Sequence, residues 1–104
     1  MGQQIPILVR EKITKGKLSM GLDLVTIYKI LRYIRENPGC KVTDLPKAIN
    51  ISSSTAVRYV DILSQQELIE VKGKKPKQLF LTKKGYDVLF LFTQLERVLG
   101  LKIE

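Results

Sequence analysis

The chain contains no histidine, and Cys40 is its only cysteine. Without an imidazole, histidine general acid–base catalysis and Ser-His-Asp triads are excluded, as are zinc sites built on histidine or on several cysteines. A lone cysteine forms no internal disulfide, which suits a reducing cytoplasm. Cys40 reads as a small, partly buried residue just beyond a helix end. Long apolar runs are missing too. The longest, Val88-Leu89-Phe90-Leu91-Phe92, is far short of the roughly 20 residues a membrane span requires. Met1–Arg10 lacks the basic start and apolar run of a signal peptide. No internal repeat, low-complexity tract, nucleophile–base pair or carboxylate cluster is present. The expectation is a soluble, cytoplasmic, non-enzymatic protein with no cofactor and no metal.

What remains is size, apolar content and charge. One hundred and four residues make one ordinary domain, and a hydrophobic share of 44% is enough for one core. The formal net charge is +8, with a pI near 9.8. Such an excess favours a polyanionic partner, and nucleic acid fits better than an anionic membrane surface. A lysine-rich, histidine-free composition also suits an archaeal source.

Residues 1–21 read as a basic arm. Ile5-Pro6-Ile7-Leu8-Val9 suits a short edge strand, limited by Pro6, and Gly16 and Gly21 argue against one continuous helix after it. From Asp23 to Asn37, Leu24, Ile27, Leu31 and Ile34 recur on one face and predict a helix, with Ile30 widening the face. Asn37-Pro38-Gly39 ends it. A short second helix is expected over Asp44–Ile49, capped by Thr43, with Pro46 in its first turn and Leu45, Ala48 and Ile49 buried. Asn50 suits a left-handed turn residue. A third helix begins near Ser53 or Ser54 and runs to about Gln66. Its inner face is Ala56, Val60 and Leu63, which leaves Ser53, Ser54, Val57, Arg58 and Asp61 outward. Leu68–Lys72 and Gln78–Leu81 then read as a hairpin around Gly73-Lys74-Lys75-Pro76-Lys77. Thr82 caps a last helix over Lys83–Leu99.

The informative object is this order of helix, short helix, helix and basic hairpin. A short helix crossing the third at a tight turn holds the third proud of the surface, where its N-terminal half can enter a major groove. Ser52, Ser53, Ser54 and Thr55 are small donors and acceptors at that end, where a helix N-terminus also favours phosphate. Arg58, one turn on, suits a bidentate contact to guanine, and Val57 offers a methyl surface to thymine. Tyr59 has two readings, a hydroxyl on a phosphate or a ring packed inside.

The run from Asp44 to Leu63, followed by Glu67-Leu68-Ile69, resembles the helix-turn-helix of winged-helix transcriptional regulators, MarR-like and other bacterial and archaeal ones. Leu79-Phe80-Leu81-Thr82-Lys83-Lys84-Gly85 is similar to the leucine-threonine-x-x-glycine segment that leaves the wing and opens a dimerisation helix in those proteins. The chain also resembles small archaeal winged-helix chromatin proteins that dimerise through a C-terminal coiled coil. The resemblance covers about Asp23–Leu99. It implies a mainly α fold with a small β-hairpin: a winged helix-turn-helix over residues 22–82 and a C-terminal dimerisation helix over 83–104. Two glycines usual in the family are replaced, by Asn50 in the inter-helix turn and by Glu67 before the first wing strand.

Between Val71 and Gly85 stand six lysines and no acid. Lys72, Lys74, Lys75 and Lys77 fit phosphate contacts flanking the groove, against the blander reading of a solvated hairpin tip. Lysine without arginine at this tip suits backbone attraction rather than minor-groove reading. In the last helix, Val88, Phe92, Leu95 and Leu99 approximate a 3.5-residue period, with Leu91 and Val98 as partners. Pairing with the same helix of a second copy is favoured over packing within one chain. The functional expectation is a dimeric, sequence-specific regulator on double-stranded DNA. An architectural, nucleoid-associated protein with little sequence preference is the alternative. The residues identify no small-molecule effector pocket.

Overall fold

The computed structural model describes residues 22–102. The basic arm, including the strand expected over Ile5–Val9, lies outside the described residues. Helix α1 spans Leu24–Glu36. Asp23 caps it, one carboxylate oxygen accepting from the Val25 N–H at 3.3 Å and the other from the Thr26 hydroxyl at 3.0 Å. Tyr28, Ile30, Leu31 and Ile34 face inward. Leu24, expected on that face, is instead 61% exposed, because it sits in the first turn, ahead of the core contacts. The helix stops where the sequence implies. The Asn37 N–H donates to the Tyr33 carbonyl at 2.9 Å, and Gly39 turns the chain at φ +85°.

The residues after this turn hold two features that local pattern does not reveal. Cys40–Lys41 forms a short strand, β1, paired antiparallel with the far strand of the hairpin so that Cys40 faces Leu79. A single 3₁₀ turn, Val42–Asp44, then leads into α2, Leu45–Ile49. Thr43 is therefore not the cap of α2. It lies inside the 3₁₀ turn, and the Asp44 carboxylate closes that turn by accepting the Lys41 N–H at 2.9 Å. Leu45 is fully buried and Ile49 half-buried, whereas Ala48, expected inside, is exposed. Cys40 is buried in the sheet. Its thiol is pushed up to about 11, first by burial and then by the Asp44 charge, so it stays protonated at neutral pH.

Helix α3, Ser53–Gln65, follows the left-handed Asn50 at φ 60°. Strands β2, Ile69–Lys72, and β3, Gln78–Leu81, complete a three-stranded sheet in the order β1-β3-β2. Helix α4, Lys83–Leu99, closes the chain and packs back across α1, where Phe92 meets the Tyr28 ring at 5.1 Å. The core is apolar throughout: Ile30, Leu31, Ile34, Leu45, Ala56, Leu63, Leu79 and Leu89 are buried, with no buried charge among the described residues. Removing any one of these leucines leaves a cavity that costs about 2–5 kcal/mol.

The joint between α3, β2 and α4 fixes the hairpin. Past Gln66, the Leu68 N–H returns to the Leu63 carbonyl at 2.9 Å and the Glu67 N–H to Ser64 at 3.0 Å. This is the Schellman pattern, which places its middle residue in the left-handed region. That residue is Glu67, at φ 62°. Thr82 ties the start of α4 to the same turn, its hydroxyl donating to the Glu67 carbonyl at 2.6 Å and its N–H to Leu68 at 3.2 Å. Gly85 lies so close beneath that a Cβ there would come within 2.1 Å of the Leu68 carbonyl oxygen.

Opposite stability changes follow at these two positions. Gly85→Ala forces α4 off the joint and lowers stability by at least about 3 kcal/mol, at the upper end for overpacked sites. Glu67→Gly removes a left-handed penalty of about 1–2 kcal/mol. The greater freedom of glycine in the unfolded chain offsets about half of that gain. Thermal and urea unfolding of both variants check the pair; a neutral Gly85→Ala contradicts the contact.

Candidate nucleic-acid interface

Helix α3 presents two unlike faces because its apolar residues fall on one side only. Ala56, Tyr59, Val60 and Leu63 are buried, while Ser53, Ser54, Val57, Arg58 and Asp61 are exposed. Val57, at 58% exposure, has no packing role that accounts for it. The serine cluster divides by task. Ser52 is the cap: its hydroxyl accepts the Thr55 N–H at 3.1 Å and donates to the Thr55 hydroxyl at 2.7 Å. Ser52 and half-buried Thr55 thus hold the end of the helix, and Ser53, Ser54, Val57, Arg58 and Asp61 form its outward surface. The N-terminal end of α3 carries partial positive charge toward solvent.

Tyr59 resolves its two readings in favour of packing. It is 3% exposed, and its hydroxyl accepts the Asp23 N–H at 2.7 Å, joining α3 to the start of α1. A phosphate on the outer face cannot reach that oxygen, so Tyr59 leaves the set of contact candidates. It supports its neighbour instead: the Arg58 guanidinium carbon lies 5.8 Å from the Tyr59 ring centroid. At that distance the attraction is at most about 1 kcal/mol, too little to hold Arg58 against a charged hydrogen-bond partner.

The hairpin that follows α3 packs against it through β2. Gly73, at φ +80°, makes a tight turn in which any Cβ would meet the Pro76 carbonyl at 2.9 Å. All residues from Lys72 to Gln78 are exposed. Lys74, Lys75 and Lys77 project from the tip, while Lys72 lies over the Phe80 ring at 5.3 Å. The other two lysines of the stretch have local tasks. Lys84 donates to the Gln66 carbonyl at 2.9 Å and so caps the end of α3. Lys83 pairs with Asp87 at 3.6 Å on an exposed surface, an interaction of no more than about 1 kcal/mol. The capping role of Lys84 has no signature in the sequence, because the carbonyl it meets is remote along the chain.

Helix α4 divides its apolar residues between two directions. Leu89 is buried and Val88 and Phe92 pack against the core of their own chain, so these two of the expected dimerisation residues are partly occupied. Leu91, Leu95, Val98 and Leu99 remain outside, with Leu91 at 64% and Val98 at 82% exposure. Phe90, not anticipated as an exposed residue, is 61% exposed as well. No described helix is long and apolar enough to cross a membrane. Among the described residues no group of three or more potential ligands could hold a metal ion.

A helix whose buried half rests on a short partner helix, whose outer half is polar, and which is flanked by a three-stranded sheet with a basic tip is a winged helix-turn-helix. Residues 25–75 match the model of the MarR family. Its members are transcription regulators, not enzymes. The fold is shared with Bordetella bronchiseptica BpsR, whose DNA binding is regulated by 6-hydroxynicotinic acid (17% identity, 94% of this chain, 77% of that one, TM-score 0.65). It is shared too with MepR, a transcription regulator of the Staphylococcus aureus efflux pump MepA (18%, 90% and 74%, 0.66). A third similar structure is Streptococcus pneumoniae FabT in complex with DNA (16%, 90% and 68%, 0.64). No curated protein sequence matches the chain. In this winged helix, the departures at Asn50 and Glu67 are both accommodated, each residue taking the left-handed conformation a glycine would adopt.

If the tip lysines meet phosphates, replacing Lys74, Lys75 and Lys77 together by alanine lowers affinity on every duplex. The log–log salt slope then flattens by about 0.9 for each phosphate that is no longer neutralised. Fluorescence anisotropy over a salt series measures it. An unchanged slope shows that the tip stays clear of DNA.

Proposed function

We propose that this protein is a dimeric, sequence-specific transcription regulator that reads double-stranded DNA with α3. One observation carries the reading. The outward face of α3 is polar and small near its start, and α3 packs against β2 of a hairpin whose exposed tip carries lysines and no acid. Ser53 and Ser54 approach the phosphates or base edges, Val57 offers its methyls to thymine, and Arg58 makes the bidentate contact to guanine. Lys72, Lys74, Lys75 and Lys77 lie along the flanking backbone and supply sequence-independent attraction.

The dimer rests on α4. Leu91, Leu95 and Val98 follow the spacing i, i+4, i+7 and, with Leu99, form an exposed apolar stripe that a soluble monomer rarely leaves open. The same helix of a second copy covers it under two-fold symmetry. The two α3 helices then fall on successive turns of a roughly palindromic site. A regulator that acts on chromosomal DNA works in the cytoplasm. A second reading, an architectural and nucleoid-associated protein of low sequence preference, is favoured by the all-lysine tip, since lysine attracts phosphate without reading bases.

Selection of bound sites from a random duplex pool, read at two salt concentrations, separates these readings. A regulator yields a two-fold-symmetric consensus, and Arg58→Ala then loses about 1–3 kcal/mol on that site beyond its loss on random DNA. A pool that stays random, with equal losses for Arg58→Ala on every duplex, rejects the base-reading role.

A further inference from the structure

Asp61 is the single acid of α3 and lies on its outward face. No ion pair or hydrogen bond engages its carboxylate among the described residues. The guanidinium of Arg58, three residues earlier, lies over the Tyr59 ring instead of pairing with it. An acid at this place works against the rest of the chain. The net charge is +8, and a carboxylate on a surface that approaches phosphates is repelled by them. Ser54, Arg58 and Asp61 follow the spacing i, i+4, i+7 and so stand on one line along the helix. From Ser54 to Asp61 the helix advances about 10.5 Å, inside a major groove about 12 Å wide.

Resting on the proposed DNA reading by α3, we propose that Asp61 is a specificity-determining residue: its carboxylate accepts from the N4 amino group of a cytosine and rejects the other bases. The chemistry of the base edges carries this choice. A carboxylate only accepts hydrogen bonds. In the major groove guanine offers two acceptors, and thymine an acceptor and a methyl group, so both oppose it. Adenine sets an acceptor beside its amino group, whereas cytosine presents its donor alone. The charge also repels phosphates whatever the sequence. Asp61 therefore weakens binding wherever the cytosine is missing and offsets that loss where it is present. The tip lysines raise affinity for all DNA, and this one acid lowers it for the wrong DNA. From Arg58 to Asp61 the helix advances about 4.5 Å, little more than the roughly 3.4 Å between successive bases of one strand. The cytosine thus falls within about two base pairs of the guanine that Arg58 contacts.

The test uses the full chain. Selection from a random duplex pool gives the parent's consensus, and duplexes with each of the four bases at each consensus position are then titrated by fluorescence anisotropy. Thermal melting serves as the folding control. The parent prefers cytosine at one position of each half-site by about tenfold, the usual cost of one mismatched pair. Asp61→Ala removes that preference by binding the other three bases more tightly, and it keeps the guanine preference that Arg58→Ala erases. Asp61→Asn moves the preference to adenine, because an amide pairs with adenine through both of its groups. Binding tightened by the same factor on all four bases overturns the proposal, since the acid then acts through charge alone. Base preferences unaltered in both Asp61 variants overturn it as well. In either case a guanine preference erased by Arg58→Ala leaves the reading by α3 standing. A parent pool that stays random overturns both.

Discussion

The first turn of α4 rests directly on the carbonyl of Leu68, and the arrangement of the molecule depends on that contact. It is possible only because residue 85 has no side chain: a Cβ would come within 2.1 Å of the oxygen. Around it, the Thr82 hydroxyl and N–H hold Glu67 and Leu68, and Lys84 holds the carbonyl of Gln66, the residue that follows α3. The end of α3, the root of the hairpin and the start of α4 therefore form one joint. In a dimer built on α4, the direction of each α3 follows from the direction of α4 through this joint. A rigid joint converts a pairing of two helices into a fixed separation of two reading heads.

The surface is divided in the same economical way. Apolar side chains left over from the core gather on α4 as Phe90, Leu91, Leu95, Val98 and Leu99, whereas α3 exposes two serines, one valine, one arginine, Asp61 and Gln65. The local interactions of the lysines are weak by comparison with what phosphate contacts supply. The stacking of Lys72 on Phe80 and the pairing of Lys83 with Asp87 are each worth about 1 kcal/mol or less. Neither withholds its lysine from DNA.

Much of this was legible in the sequence wherever the cause is local. The spacing of Ala56, Val60 and Leu63 gives the buried side of α3 and hence its outward residues. Thr82 three residues before Gly85, and asparagine after Ile49, mark a cap and a left-handed turn. What stayed hidden depends on contacts remote along the chain. Strand β1 is two residues long and exists only because Leu79 and Gln78 lie opposite it. Thr43 has the right chemistry for a cap, but the Asp44 carboxylate reaches the Lys41 N–H first and draws the segment into a 3₁₀ turn. Tyr59 could not be assigned from its helical position, since the partner of its hydroxyl, the Asp23 N–H, is 36 residues away. The same limit applies to Lys84 on Gln66.

The central claim is that α3 and the wing tip form one surface for duplex DNA. Backbone amide chemical shifts of the labelled protein, followed while a duplex is added, test it most directly. The account predicts perturbations concentrated at Ser53–Arg58 and Gly73–Gln78, with little change over Phe90–Leu99. Shifts confined to α4, or none at the start of α3 under conditions where binding is complete, would contradict it.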